Sequence, residues 1–220
     1  MAQTTLRQFS RGVAGAFISF EGIDGSGKST QARMLFERLV AAGIPTHLTR
    51  EPGGSAGAED IRALVLNGAA DRWSPETELL LFTAARRDHL EKTIRPRLAA
   101  SEVEICDRFA DSTRIYQGLT RGDLREAVDA LHALMIGIEP DLTVLIDLPA
   151  EKGLARATAR AGADMRFEGM GLAVQQAARD GFLALARANP TRFAVIDGAR
   201  DQAVVARDVW DVASARIAAR

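Results

Sequence analysis

The chain has 220 residues, 28 Lys plus Arg against 29 Asp plus Glu, and a formal net charge of −1. That length suits one domain with a full core, and 47% hydrophobic residues exclude a disordered chain. The near-neutral charge argues against a dedicated nucleic-acid binder, no apolar run reaches the ~18 residues of a membrane span, and the lone Cys106 excludes an internal disulfide framework and fits a reducing compartment.

Residues 1–15 carry Arg7 and Arg11 with no apolar core behind them, so they are expected to be a short N-terminal extension and not a secretory signal. Residues 16–220 are expected to form a single domain. Ala16–Phe20 reads as a buried strand, followed by a Gly-rich turn and a helix over about Lys28–Ala42 that Gly43 ends. Pro45–Thr49 reads as a second strand, and Glu51-Pro52-Gly53-Gly54 as a loop. Helical patterns cover Ala58–Leu66 and Pro75–Ala99, the second opening with Ser74 before a proline. Glu102–Cys106 is a third strand. Leu124, Val128, Leu131, Met135 and Ile138 recur at helical spacing over Asp123–Ile138. Leu142–Leu148 is a near-continuous apolar strand, two helices with a Gly-containing segment between them follow, and Phe193–Ile196 and Gln202–Ala219 close the chain as strand and helix. Five buried strands with helical crossovers predict an α/β fold with a parallel sheet, and ligands in such folds sit beyond the carboxyl ends of the strands.

At the first strand end, Gly22-Ile23-Asp24-Gly25-Ser26-Gly27-Lys28-Ser29 fits G-x-x-x-x-G-K-[ST], with Thr30 just behind. The composition gives roughly 0.002 chance matches to this pattern, and a strand before and a helix after are the context a phosphate-binding loop requires. Glycines let backbone N–H groups turn inward on phosphate oxygens, Lys28 reaches the β/γ-phosphates, and the Ser29 hydroxyl suits Mg²⁺. In a chain with only three lysines and 25 arginines, one lysine falls at the position that calls for it. Neither Asn67 nor Asn189 begins the N-K-x-D of guanine recognition.

An acceptor needs a second set of residues. Arg50 and Arg108 stand at the ends of adjacent predicted strands, where two guanidiniums suit a phosphate, and Asp107 can approach Mg²⁺ through water. Either Arg alone reads equally as a surface ion pair. Phe82 and Arg86, four apart on one helix face, suit stacking a base and bonding its edge, although composition alone favours a core Phe and a solvated Arg.

Over Phe17 to the C-terminus the sequence resembles bacterial thymidylate kinases, through FISFEGIDGSGKST (Phe17–Thr30), LTREPGG (Leu48–Gly54), LLLFTAARRDHL (Leu79–Leu90), DRFADSTRIYQG (Asp107–Gly118) and PDLTVLIDLP (Pro140–Pro149). The resemblance implies a nucleoside-monophosphate-kinase-like P-loop fold of five parallel strands with a short mobile lid at about 156–169. It implies the reaction ATP + dTMP → ADP + dTDP with Mg²⁺, in a cytoplasmic homodimer with no nucleic-acid or membrane partner. It further implies that Arg50 and Arg108 hold the dTMP phosphate, and that Phe82 stacks on thymine while Arg86 bonds its edge. Thr113 and Gln117 then lie near the base, Tyr116 under the deoxyribose, and Asp24 between P-loop and acceptor. No Arg lies between Asp24 and Lys28, so the catalytic cation beside Lys28, Asp24 and Arg108 is expected from the lid, with Arg160 the best candidate and Arg156 a second phosphate contact. The lid departs from the family's Asp-Arg-apolar-Glu by Met165, inserted between Asp164 and Arg166. Arg114 stands where relatives often carry a small or apolar residue.

Overall fold

The computed structural model describes residues 15–69, 71–120, 122–159 and 171–220. Five strands form one parallel sheet: β1 (Ala16–Glu21), β2 (Thr46–Arg50), β3 (Val103–Asp107), β4 (Leu142–Asp147) and β5 (Phe193–Asp197), in the order β2-β3-β1-β4-β5. The helices are α1 (Lys28–Ala41), α2 (Ala56–Leu66), α3 (Pro75–His89), α4 (Ala110–Ile115), α5 (Arg125–Leu131), α6 (Ala150–Ala159), α7 (Leu172–Ala188) and α8 (Gln202–Ala218). Helix α3 runs on through a π turn at Leu90–Ile94 into a last turn at Arg95–Ala99, and π turns also extend α4 over Tyr116–Thr120 and α5 over His132–Ile136.

The two-residue pleat divides the core. On β1, Ile18 and Phe20 face Leu35, Leu39, Val205 and Trp210 of α1 and α8. Phe17 faces the other way, toward Leu90, Ile94 and Phe109. On β4, Val144 and Ile146 join the first layer while Leu145 meets Ile23, Tyr116 and Phe182 in the second. Sequence reading placed each strand within a residue or two. It treated all five as buried, whereas β2 and β5 are sheet edges and half-exposed along much of their length.

Parallel registry brings the strand ends to one level: Arg50 pairs with Asp107, Phe20 with Asp107, and Asp147 with Asp197. Every carboxyl-end residue of interest therefore lies on the same edge of the sheet. Helix α4 was not foreseen. Its inward residues Asp111, Ser112, Thr113 and Gln117 are buried and polar, so no apolar period marks it. Residues 1–14 of the expected extension at 1–15, and the part of the expected lid from Arg160 on, lie outside the described residues.

Candidate active site

A cavity of about 270 Å³ opens at the carboxyl ends of β1, β2 and β3. Its floor is the turn from β1 to α1. Gly22, Gly25 and Gly27 take φ of 140°, 76° and 99°, which a residue with a Cβ rarely adopts. Gly25 has a second reason to lack a side chain, since a Cβ there would stand 2.1 Å from the Gly153 carbonyl oxygen of α6. Helix α1 starts directly at Lys28, so its first N–H groups point toward the cavity. Lys28 is buried, donates to the Ile23 carbonyl at 3.1 Å and lies 3.6 Å from Asp24. Burial and the neighbouring Arg108 cation lower its ammonium to about 8 despite Asp24.

Arg108 crosses from β3 to the P-loop. It bonds Asp24, donates to Ser112 Oγ at 3.1 Å, and stands over the Tyr116 ring at 5.3 Å. Its backbone sits at φ 73°, an arrangement costing roughly 1–2 kcal/mol for a residue with a Cβ. Neighbouring contacts hold it there. Arg108 N donates to Phe20 O at 2.9 Å, and Phe109 N donates to Glu21 Oε1 at 2.7 Å. The Phe109 ring packs edge-on against Phe17 with centroids 4.8 Å apart. Ser112 Oγ donates to Glu21 Oε2 at 2.6 Å. Burial, joined by the nearby Asp111 charge, pushes the Glu21 carboxyl up to about 7.

The opposite wall comes from α3. Phe82 faces the cavity. Arg86 is buried, not solvated, and donates from Nε to Glu51 Oε2 at 2.6 Å and from Nη2 to Thr113 Oγ1 at 2.9 Å and to the Phe109 carbonyl at 3.2 Å. Arg50 stands at the rim, with Nη2 3.1 Å from both Glu59 oxygens. Gln117 lines the far side and donates to Glu78 Oε1 at 2.9 Å.

The cavity thus gathers Asp24, Gly25, Lys28, Ser29, Arg50, Phe82, Arg86, Asp107, Arg108, Thr113, Tyr116 and Gln117. Gly22, Ile23, Ser26, Gly27 and Thr30 belong to the same turn and helix start but do not line it. Two further features bear on ligand chemistry. Buried Asp107 Oδ1, Ser26 Oγ and Tyr116 Oη have no hydrogen-bond partner among the described residues. Five cationic side chains, those of Lys28, Arg50, Arg62, Arg86 and Arg108, line one small space.

The family model described as thymidylate kinase matches residues 20–209, most of the chain. The chain belongs to the thymidylate kinase family. A protein named thymidylate kinase from Ruegeria pomeroyi is 66% identical over 198 residues, 90% of this chain and 94% of its own length. One from Dinoroseobacter shibae is 67% identical over 195 residues, 89% and 94% of the two lengths. A crystal structure of thymidylate kinase from Ehrlichia chaffeensis superposes with a TM-score of 0.72 at 38% identity, covering 91% of this chain and 98% of its own.

Arg156 donates to the Gly198 carbonyl at 3.4 Å, beyond β5, and does not line the cavity. Arg160 lies outside the described residues. Arg114 points away from the kinase site into an ion network with Asp111 at 2.8 Å, Asp129 at 2.9 Å and Glu139 at 2.6 Å, which ties α4 to α5 and to the loop before β4. Sequence reading gave no role to Glu21, Glu51, Ser112 or Gln175. Gln175 of α7 donates to Asp24 Oδ2 at 3.4 Å, which links α7 to the P-loop. Each of these residues acts on a partner distant in sequence, so no local spacing marks it.

Proposed function

We propose that the cavity holds dTMP beside ATP and that the enzyme transfers the γ-phosphoryl of ATP directly to the dTMP phosphate. The convergence of Phe82 and Arg86 on one wall with Lys28 and Arg108 at the other end carries this reading. An aromatic face and a guanidinium suit a base, and the cations suit two phosphate groups. In this reading the P-loop residues Gly22–Thr30 cradle the ATP phosphates, with Lys28 on the β/γ-oxygens. Phe82 stacks on thymine, Arg86 bonds its edge with Thr113 beside it, Gln117 closes the base side, and Tyr116 lies under the sugar.

Arg108 and Arg50 hold the acceptor phosphate. Asp24 positions Arg108 against Lys28 and so sets the spacing between donor and acceptor. Arg50 has to exchange Glu59 for the phosphate, which its exposed position permits. Ser29 and Asp107 fit Mg²⁺: both line the cavity, and the buried Asp107 Oδ1 has no hydrogen-bond partner among the described residues, as suits an oxygen facing a hydrated cation. Ser29 and Asp107 would hold the ion, whose charge would offset that of the donor phosphates. Transfer is in line with no covalent enzyme intermediate, so the protein supplies position and charge and needs no strong base. Arg160, from the lid, is proposed as the cation that meets the transferring phosphoryl, with Arg156 a second phosphate contact.

The enzyme is proposed to work as a cytoplasmic homodimer. Among the described residues no helix is long and apolar enough to cross a membrane. Exposed Leu80 on α3, with Leu134 and Met135 on the turn after α5, offers an apolar face for a second copy.

Steady-state assays of Phe82→Ala test the acceptor wall. The KM for dTMP is expected to rise about tenfold or more, from the loss of one stacked base, with the KM for ATP little changed. An unchanged dTMP KM contradicts the assignment.

A further inference from the structure

Arg86 does not hold itself in place. It stands on Glu51, and Glu51 in turn stands on a buried histidine. His89 is the last residue of α3, three positions after Arg86, so both side chains leave the same helix face. Its ring is wholly buried and lies behind the cavity wall, not in the lining. His89 Nδ1 is 3.1 Å from Glu51 Oε1, and Nε2 is 2.8 Å from Thr49 Oγ1. The second carboxylate oxygen, Oε2, takes the Arg86 Nε hydrogen at 2.6 Å.

The two sides of the ring are therefore distinct. Nδ1 faces a carboxylate that can only accept, so it carries the hydrogen, while Nε2 shares a hydrogen bond with the Thr49 hydroxyl. Burial raises the Glu51 carboxyl, but Arg86 and His89 outweigh it, and the group lies below the usual carboxylate range. Glu51 is thus an anion fixed at both oxygens. The loop is cut to admit the ring: a Cβ on Gly54 would come within 2.3 Å of His89 Nε2 and 2.4 Å of Thr49 Oγ1. Thr49, Glu51 and Gly54 of the TREPGG segment all answer to this one side chain.

We propose that His89 is a positioning residue for the acceptor, aiming Arg86 into the cavity by holding Glu51 through Nδ1. The inference rests on the reading that Arg86 meets the acceptor base. Without His89, Glu51 Oε1 is orphaned in a buried place and the carboxylate can turn. Arg86 then loses the fixed direction of its Nε bond, while the P-loop is untouched.

The test measures KM for dTMP, KM for ATP, kcat and thermal melting for His89→Leu, His89→Asn, Thr49→Val and Arg86→Lys. His89→Leu is expected to raise the dTMP KM about tenfold, the scale of one hydrogen bond to a charged group, with the ATP KM within about twofold of the parent. His89→Asn returns an N–H near the Nδ1 position and is expected to recover most of that loss. Thr49→Val, which only frees the far side of the ring, is expected to raise the dTMP KM about threefold, and it carries the test should His89→Leu fail to fold. A dTMP KM within twofold of the parent in His89→Leu, or no recovery in His89→Asn, overturns the proposal while a raised KM in Arg86→Lys leaves the acceptor reading standing. An unchanged dTMP KM in Arg86→Lys overturns both. Loss of melting temperature with all kinetic constants of the folded fraction unchanged assigns His89 to packing alone and also overturns it.

Discussion

At the scale of single residues, Glu21 makes the chemistry of the site depend on pH. Its carboxyl titrates near 4.5 in an unfolded chain and near 7 in the fold. Between those values the folded protein holds more proton than the unfolded one. The stability that proton uptake supplies is whole below about 4.5 and is lost as pH rises through about 7. Glu21→Gln keeps an oxygen for Phe109 N and removes the titration. Its melting temperature is expected to vary less than the parent's between pH 5 and pH 8, with the gain at the upper end. Parallel curves for the two proteins contradict this. Lys28 shows the opposite sign of charge and a different sensitivity. Its ammonium, lowered to about 8 by burial and Arg108, is charged at neutral pH and lies beside the Asp24 carboxylate. Arg160→Ala tests the cation that the described residues do not include. A drop in kcat on the order of 10³, with little change in the dTMP KM, is expected of a group that contacts the transferring phosphoryl. An unchanged kcat removes Arg160 from that role.

At the scale of elements, the site is a set of turns held by helices behind them. Gly153 of α6 packs against the P-loop so closely that a Cβ there would lie 2.7 Å from Ile23 Cδ1 and 2.8 Å from the Asp24 carbonyl oxygen. Gly153→Ala is therefore expected to displace the loop, raising the KM for ATP several-fold and lowering the melting temperature. An ATP KM equal to the parent's contradicts a tight seat for the P-loop on α6. Arg179 of α7 grips Asp147 at the end of β4 with two bonds, at 2.7 and 2.8 Å, so α7 is anchored to the sheet edge.

Strands and most helices could be read from the sequence because their signals are local: apolar runs for β1, β3 and β4, a proline after Ser74 for α3, three glycines before α1. Helix α4 could not, because it buries polar groups toward the cavity and so lacks the period that marks a packed helix. The same physics governs the site. The P-loop and the strand-end arginines declare themselves by spacing. Glu51, Ser112, His89 and Gln175 work across 35 to 151 positions of sequence and emerge only once the fold brings their partners near.

For the molecule as a whole, the balance of 28 basic and 29 acidic residues takes on a spatial meaning. Many arginines are spent in ion pairs, such as Arg87 with Glu91, Arg97 with Glu102, and Arg192 with Asp111. Lys28, Arg50, Arg62, Arg86 and Arg108 instead gather positive charge in one cavity. The central claim is that this cavity selects a thymidine monophosphate and phosphorylates it with ATP. Turnover with ATP–Mg²⁺ and equal concentrations of dTMP, dUMP, UMP, CMP, GMP and thymidine tests it most directly. dTMP is expected to be the best acceptor, with weaker turnover of dUMP, which lacks the methyl group, and little with UMP, whose 2′-hydroxyl would meet Tyr116 as proposed. A preference for thymidine over dTMP, or equal use of the ribonucleotides, would contradict it.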